Sequence, residues 1–211
     1  MTKYQQIFYD IKHSRDYNTI GSNIDYKIFV DKENKEVVLQ FEESRQKSDW
    51  LLNFLFIPFP LKLDKKIVWT TLGYSLAYSS CKNEPIDLFE IICNQNLSYK
   101  WVIRGWSLGS AMTKIAVRHF YIRRGAYVLN DELTYGDVKV WLNPFIHWFS
   151  KGWVKNRHNF TCVNDLVTWC VPFYHRHQKN KVGGKFSLKK LLKTEYNHTH
   201  YEKYDYSEYE N

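Results

Sequence analysis

The 211-residue chain is short of the features that identify several protein classes at once. It has four cysteines, Cys81, Cys93, Cys162 and Cys170, and no two of them form a C-x-x-C pair, so a zinc site is not expected. They are expected as reduced thiols buried like small hydrophobes. Long apolar runs are also missing. The longest, from Trp50 to Leu63, is interrupted by Asn53, Pro58, Pro60 and Lys62 and is too short to span a bilayer. The opening MTKYQQIFYDIKHSRD has no apolar h-region, so no secretory signal is expected and the cytoplasm is the expected compartment. The Lys-, Asn- and Tyr-rich composition is compatible with an AT-rich bacterial or viral genome, and so with a virus-encoded protein in a host cytoplasm. Disorder is excluded by what is abundant: 13 Phe, 16 Tyr and 8 Trp.

Charge is less informative. Lys and Arg number 30 against 22 Asp and Glu, a net +8. Much of the excess lies in Lys179, Lys181, Lys185, Lys189, Lys190 and Lys193. Neither a helix-turn-helix spacing nor an RNP-type aromatic sheet accompanies that run. A solvated face therefore explains it better than specific nucleic-acid binding.

Residues 25–42 read as a β-hairpin around Asp31-Lys32-Glu33-Asn34-Lys35. Pro58 and Pro60 stop any helix after Trp50. Glu84–Gln95 reads as an amphipathic helix with Pro85 in its first turn and Ile86, Phe89, Ile92 and Cys93 on one face. Tyr99–Ile103 reads as a buried strand. Leu108–Arg123 reads as a helix with Met112, Ile115, Ala116, His119 and Phe120 inward and Lys114, Arg118 and Arg124 outward. Further strands are expected at Ala126–Leu129, Leu133–Tyr135 and Phe160–Val163. The tail from Glu195 is either a last helix or frayed. This alternation predicts an α/β fold: a mostly parallel central sheet with flanking helices, opened by an antiparallel hairpin. With no linker or repeat, one domain over residues 1–211 is expected.

The sharpest local signal is Gly105-Trp106-Ser107-Leu108-Gly109, set between the strand YKWVI and the helix LGSAMTKIAVRHF. A G-x-S-x-G turn from strand to helix holds a serine in a strained conformation with its hydroxyl presented. The helix N-terminus then favours a developing anion. Ser107 is the candidate nucleophile. The N–H of Leu108, next in the chain, is an oxyanion donor by geometry.

A serine hydroxyl needs an imidazole base, and the base needs an orienting carboxylate. Asp165 lies just after the expected strand FTCV and could alternatively cap a helix at LVTWCV. Asp137 is the competing acid. Candidate bases after Asp165 are His175, His177, His198 and His200. His119 faces the core side of its helix, and His13, His147 and His158 have no catalytic setting.

RGWSLGSAMTKIA resembles the G-H-S-L-G-G-A-x-A segment of the class 3 (fungal-type) lipases, with Trp106 in place of His and Ser110 in place of the second Gly. Val37–Ser44 with Ser48–Asn53 resembles the strand ending in Phe-Arg-Gly-Ser/Thr and then Asp-Trp. Leu72–Tyr78 resembles H-x-G-F-x-x-A-Y, Tyr135-Gly136 stands at the family's Phe-Gly, and Val163–Val167 resembles N-x-D-I-V, with Pro172 after it. The pieces run in the family's order over about residues 25–205. The resemblance implies an α/β-hydrolase fold and a serine esterase or lipase acting on an acylglycerol, phospholipid or similar ester through an acyl-enzyme, with no metal or organic cofactor and transient contact with a lipid interface.

It further implies Asp165 as the acid and His198, three residues before Tyr201, as the base, with His200 next. His175 or His177 falls in a family segment that does not hold the base. Ser44 is the implied second oxyanion donor, and Trp50–Phe59 lies where the family carries its lid, although so apolar a run also fits core or an acyl-binding wall. The pattern departs at Glu42-Glu43, which replace Arg-Gly: an acidic side chain beside an oxyanion opposes catalysis unless it points away. That departure supports the alternative of a catalytically degenerate hydrolase scaffold used for binding.

Overall fold

The structure is a computed structural model that describes residues 1–13, 24–42, 56–81, 83–169, 174–175, 180–183, 187 and 194–209. Two strands, β1 (Tyr26–Asp31) and β2 (Glu36–Phe41), form the expected antiparallel hairpin, in register from Tyr26 opposite Phe41 to Asp31 opposite Glu36. Its turn is closed by Asp31, whose carboxylate accepts from the Asn34 backbone N–H at 2.9 Å and side-chain amide at 2.8 Å.

From β2 onward the main sheet is parallel. β5 (Lys100–Trp106), β6 (Asp131–Tyr135), β7 (Asn156–Cys162) and β8 (Asn180–Val182) follow in spatial order β1-β2-β5-β6-β7-β8. The remaining strands, β3 (Pro58–Leu63) and β4 (Lys66–Thr71), pair as a separate antiparallel ribbon. Pro58 and Pro60 lie within β3, consistent with the expectation that no helix runs through them. A two-stranded ribbon is an edge on both sides, so it also tolerates prolines in a strand.

Side chains on a strand alternate between faces, and the two faces carry different cores. On one face Val37, Leu39, Phe41, Trp101 and Ile103 pack with α2 (Leu72–Ser80), α3 (Glu84–Gln95) and α4 (Leu108–Arg124). On the other, Trp106, Leu133, Tyr135, Phe160 and Cys162 are covered by α1 (Lys3–His13) and by Tyr201 and Tyr206 of the tail. Helix α1 presents Tyr4, Phe8 and Ile11, a one-face spacing that sequence reasoning passed over. After a one-turn helix, α5 (Ile146–Phe149), and β7, the tail over residues 194–209 forms α6 (Thr194–Thr199) and two 3-10 turns, and Tyr201 and Tyr206 are fully buried.

Two expectations are corrected. Ala126–Leu129 is no strand: Gly125 ends α4 at φ 90°, Tyr127 also takes a positive φ of 58°, and the Tyr127 N–H bonds Gly152 O at 2.9 Å, so the segment is spent reversing direction. Lys114 does not face outward. It is wholly buried and ion-paired to Asp137, because the loop after β6 covers that side of α4. No helix among the described residues is long and apolar enough to cross a membrane.

Candidate active site

Ser107 lies where β5 runs into α4. Its backbone is at φ 57°, ψ −119°, outside the regions a non-glycine residue favours. Strain of this kind persists only where its surroundings enforce it. Here the Ser107 N–H bonds Tyr135 O at 3.1 Å and the Ser107 carbonyl accepts from the Ser110 N–H at 2.9 Å. The flanking glycines make the turn possible. A Cβ at Gly105 would run into the Gly109 carbonyl and come within 2.7 Å of Thr113 Oγ1, and one at Gly109 would lie 2.6 Å from the carbonyls of Phe41 and Glu42. Helix α4 thus starts hard against the carboxyl end of β2.

Three other segments reach the same edge, outside the carboxyl ends of the parallel strands, where open α/β sheets place their sites. Asp165 follows β7, His198 comes from α6, and Gly136 follows β6. His198 Nε2 is 2.8 Å from Ser107 Oγ, and His198 Nδ1 is 2.7 Å from Asp165 Oδ2. A carboxylate only accepts, so Nδ1–H donates to Asp165 and Nε2 is the ring nitrogen that faces the serine hydroxyl. All three side chains are buried, at 4% exposure or less.

Each member has its own support. Asp165 Oδ1 accepts the Val167 N–H at 3.0 Å, so the carboxylate also caps the short 3-10 turn that follows it. Its Oδ2 further accepts the Tyr201 hydroxyl at 3.0 Å, and that hydroxyl accepts the Cys162 N–H at 2.8 Å. Burial, then the nearby Asp165, push the Tyr201 pKa well above 10, so the phenol stays a donor. His198 is held through its backbone, whose carbonyl accepts the Trp106 indole N–H at 3.1 Å. Gly136, at φ 56°, leaves room for the imidazole: a Cβ there would fall 2.7 Å from His198 Cε1. Tyr201 entered the sequence reading only as a landmark and Trp106 only as a replacement. Their roles depend on the tail folding back across the sheet.

The competing candidates lie elsewhere. Asp137 pairs with buried Lys114 and accepts from Thr134 Oγ1 at 3.0 Å. His200 stacks on Tyr196 at 4.1 Å, with Nδ1 3.0 Å from Tyr196 O. His175 joins Trp141 in an isolated antiparallel bridge. His119 is buried against the Tyr78 hydroxyl, at 3.0 Å. Leu108 opens α4, so its N–H has no carbonyl one turn earlier to bond. Glu42 is buried at the end of β2. Ser44, Glu43, His177 and the candidate lid up to Leu55 lie outside the described residues. No group of three or more His, Cys, Asp or Glu side chains among the described residues is placed to hold a metal ion.

A mostly parallel sheet with a serine elbow and a Ser-His-Asp relay at its carboxyl edge defines an α/β-hydrolase-like protein. Residues 38–175 match the model of the class 3 lipase family, and the chain belongs to that family. Among solved structures it is similar to the Rhizomucor miehei triacylglyceride lipase, at 19% identity and TM-score 0.64, over 75% of this chain and 61% of that one. Lipase II from Rhizopus niveus is matched at 18% identity and TM-score 0.65, over 78% and 63%. A triacylglycerol lipase whose catalytic centre is described as a serine protease triad is matched at 20% and 0.62, over 75% and 61%. The chain therefore spans less than two thirds of each of these lipases. No curated protein matches it by sequence.

Proposed function

We propose that the chain is a serine hydrolase of carboxylic esters, with Ser107 as nucleophile, His198 as general base and Asp165 as its orienting acid. The observation that carries this is the unbroken path Ser107 Oγ, His198 Nε2, His198 Nδ1, Asp165 Oδ2, with both links under 3 Å, at a strained strand-helix elbow. His198 takes the hydroxyl proton as Ser107 Oγ attacks the ester carbonyl, and returns it to the leaving alcohol as the acyl-enzyme forms. Water activated by the same imidazole then releases the acid. The Leu108 N–H stabilises the oxyanion, with Ser44 as the second donor that the family resemblance implies. Family membership and the triacylglycerol lipases similar in fold favour a lipid-like ester, acylglycerol or phospholipid, met at a lipid interface.

The test is hydrolysis of short and medium p-nitrophenyl esters by wild type, Ser107→Ala and His198→Ala. Wild-type turnover falling by about 10⁴-fold in both variants, at unchanged folding, is the expected result. A wild type that is inert and also unreactive toward a fluorophosphonate would replace this reading with the degenerate scaffold. Chain-length preference then separates esterase from lipase.

A further inference from the structure

A cavity of about 620 Å³ opens between β4, the C-terminal half of α4 and residues 141–153. It does not include the triad: Arg118, in its wall, comes about three helical turns after Ser107, some 16 Å along the helix axis. Trp141 and Trp153 are buried beneath it, and Ile67, Trp69 and Phe149 stand exposed around it. Arg118 is the only charged residue among the described lining.

The setting of Arg118 is unusual. Its guanidinium carbon lies 4.5 Å over the Trp153 ring centre and 5.1 Å over that of Tyr121, cation–π contacts that use up none of its N–H donors. The five N–H donors lie in the plane, and none meets a hydrogen-bond or ion-pair partner among the described residues. Burial lowers its pKa, the sign of a cation without enough water or counter-charge around it. By contrast Arg123 and Arg124, about one and a half turns on, both pair with carboxylates. A cation left unpaired inside an aromatic cavity is costly unless an anion completes it.

We propose that this cavity is a second binding site, for a carboxylate with an apolar tail such as a medium-chain fatty acid anion. The in-plane edge of Arg118 takes the carboxylate in a two-pronged pair, and the tail lies against Ile67, Trp69 and Phe149. Bidentate pairing selects a compact planar anion over a neutral alcohol of the same length. Such an acid belongs to the product class of ester hydrolysis. The site does not depend on that chemistry, however, because none of its lining residues belongs to the triad.

Three tryptophans line the cavity, so binding is readable as a change in tryptophan fluorescence. Decanoate, below its micelle concentration, is titrated into wild type and into Ser107→Ala, which separates this site from the hydrolase reading. Saturable binding is expected in both, weakened at least about tenfold in Arg118→Gln and matched by equally weak binding of decanol. Phe149→Glu, a change at an exposed rim position, sets a like charge beside the carboxylate and should also weaken binding. It keeps the test open if Arg118→Gln misfolds. Equal affinities for decanoate and decanol, or undiminished binding in Arg118→Gln, would reduce the cavity to a nonspecific apolar groove. No response to decanoate together with co-sedimentation on phosphatidylglycerol vesicles would make the face a membrane contact and overturn the proposal.

Discussion

The Tyr201 hydroxyl shows how much of the site rests on single side chains outside the triad. It donates to Asp165 Oδ2, the same oxygen that His198 Nδ1 approaches, and accepts a buried backbone N–H from Cys162. A carboxylate with two donors on one oxygen and the Val167 N–H on the other cannot rotate away from the imidazole. Tyr201→Phe removes one of those restraints and leaves the Cys162 N–H without its phenol acceptor. Losing a buried hydrogen bond to a charged group should cost about 1–3 kcal/mol of stability. Because the ring remains, turnover should fall about tenfold with KM within about twofold. Ester kinetics beside a urea titration would check both. A stability loss with kcat untouched would make Tyr201 structural only. Trp106 acts by a different route, through its indole N–H on the His198 carbonyl, so the residue that stands at the family's His still holds His198 in place.

Among the elements, α4 separates what can be read locally from what cannot. Its start was legible, because Gly105, Ser107 and Gly109 state their backbone demands within five residues. Its inward face was legible too: Met112, Ile115, Ala116, His119 and Phe120 are all buried. Lys114 was not, since a lysine on the polar side of a helix says nothing about a loop arriving from β6 to bury it. That loop brings Asp137, and Lys114 Nζ also donates to Val138 O at 2.6 Å, so the cation is both paired and hydrogen-bonded. The same reasoning explains why His198 could be chosen only by family pattern: what brings it to Ser107 is the tail crossing back over the sheet. Helix α1 escaped notice because its apolar face meets the same distant tail. Lys114→Met should destabilise the fold by about 3–5 kcal/mol, since it leaves the buried Asp137 charge without its counter-ion. The double variant Lys114→Met with Asp137→Asn, which keeps the Thr134 hydrogen bond, should recover much of that loss in urea unfolding. If both variants unfold at the wild-type midpoint, the pair adds nothing to the packing of α4.

Over the whole molecule, the sheet separates two cores, and a histidine that the proposed chemistry does not use lies on each side, buried on one and half-buried on the other. On the α4 side, His119 is fully buried, bonded to the Tyr78 hydroxyl and 3.1 Å from Asp64. On the α1 side, His158 Nδ1 is 3.0 Å from the Tyr4 hydroxyl. Burial lowers both pKa values from 6.5, for His119 in spite of the Asp64 charge. The unfolded chain therefore takes up protons near pH 6.5 while the folded chain still resists them, and stability rises with pH wherever the unfolded state binds more protons. The contribution is complete above pH 6.5 and is lost as pH falls through 6.5 toward the lower folded values. Asp64, held below its usual range chiefly by its hydrogen bonds from Arg123, adds a separate loss at more acidic pH, below about 3.8, as it falls through its own folded value. The thermal midpoint should thus drop between pH 7.5 and 5.5 and drop again well below pH 4. His119→Gln and His158→Gln should each shallow the first step; His158→Gln should leave the second, whereas His119→Gln should also shrink it, because His119 shares with Arg123 in holding the Asp64 pKa down. Because the two histidines sit on opposite faces of the sheet and share no partner, their effects should add in the double variant. A midpoint that holds level from pH 7.5 to 5.5 in wild type would mean that neither core excludes the protonated imidazole. A first step abolished by one substitution alone would assign the acid sensitivity to one layer, and the two faces would then not unfold as independently buried cores.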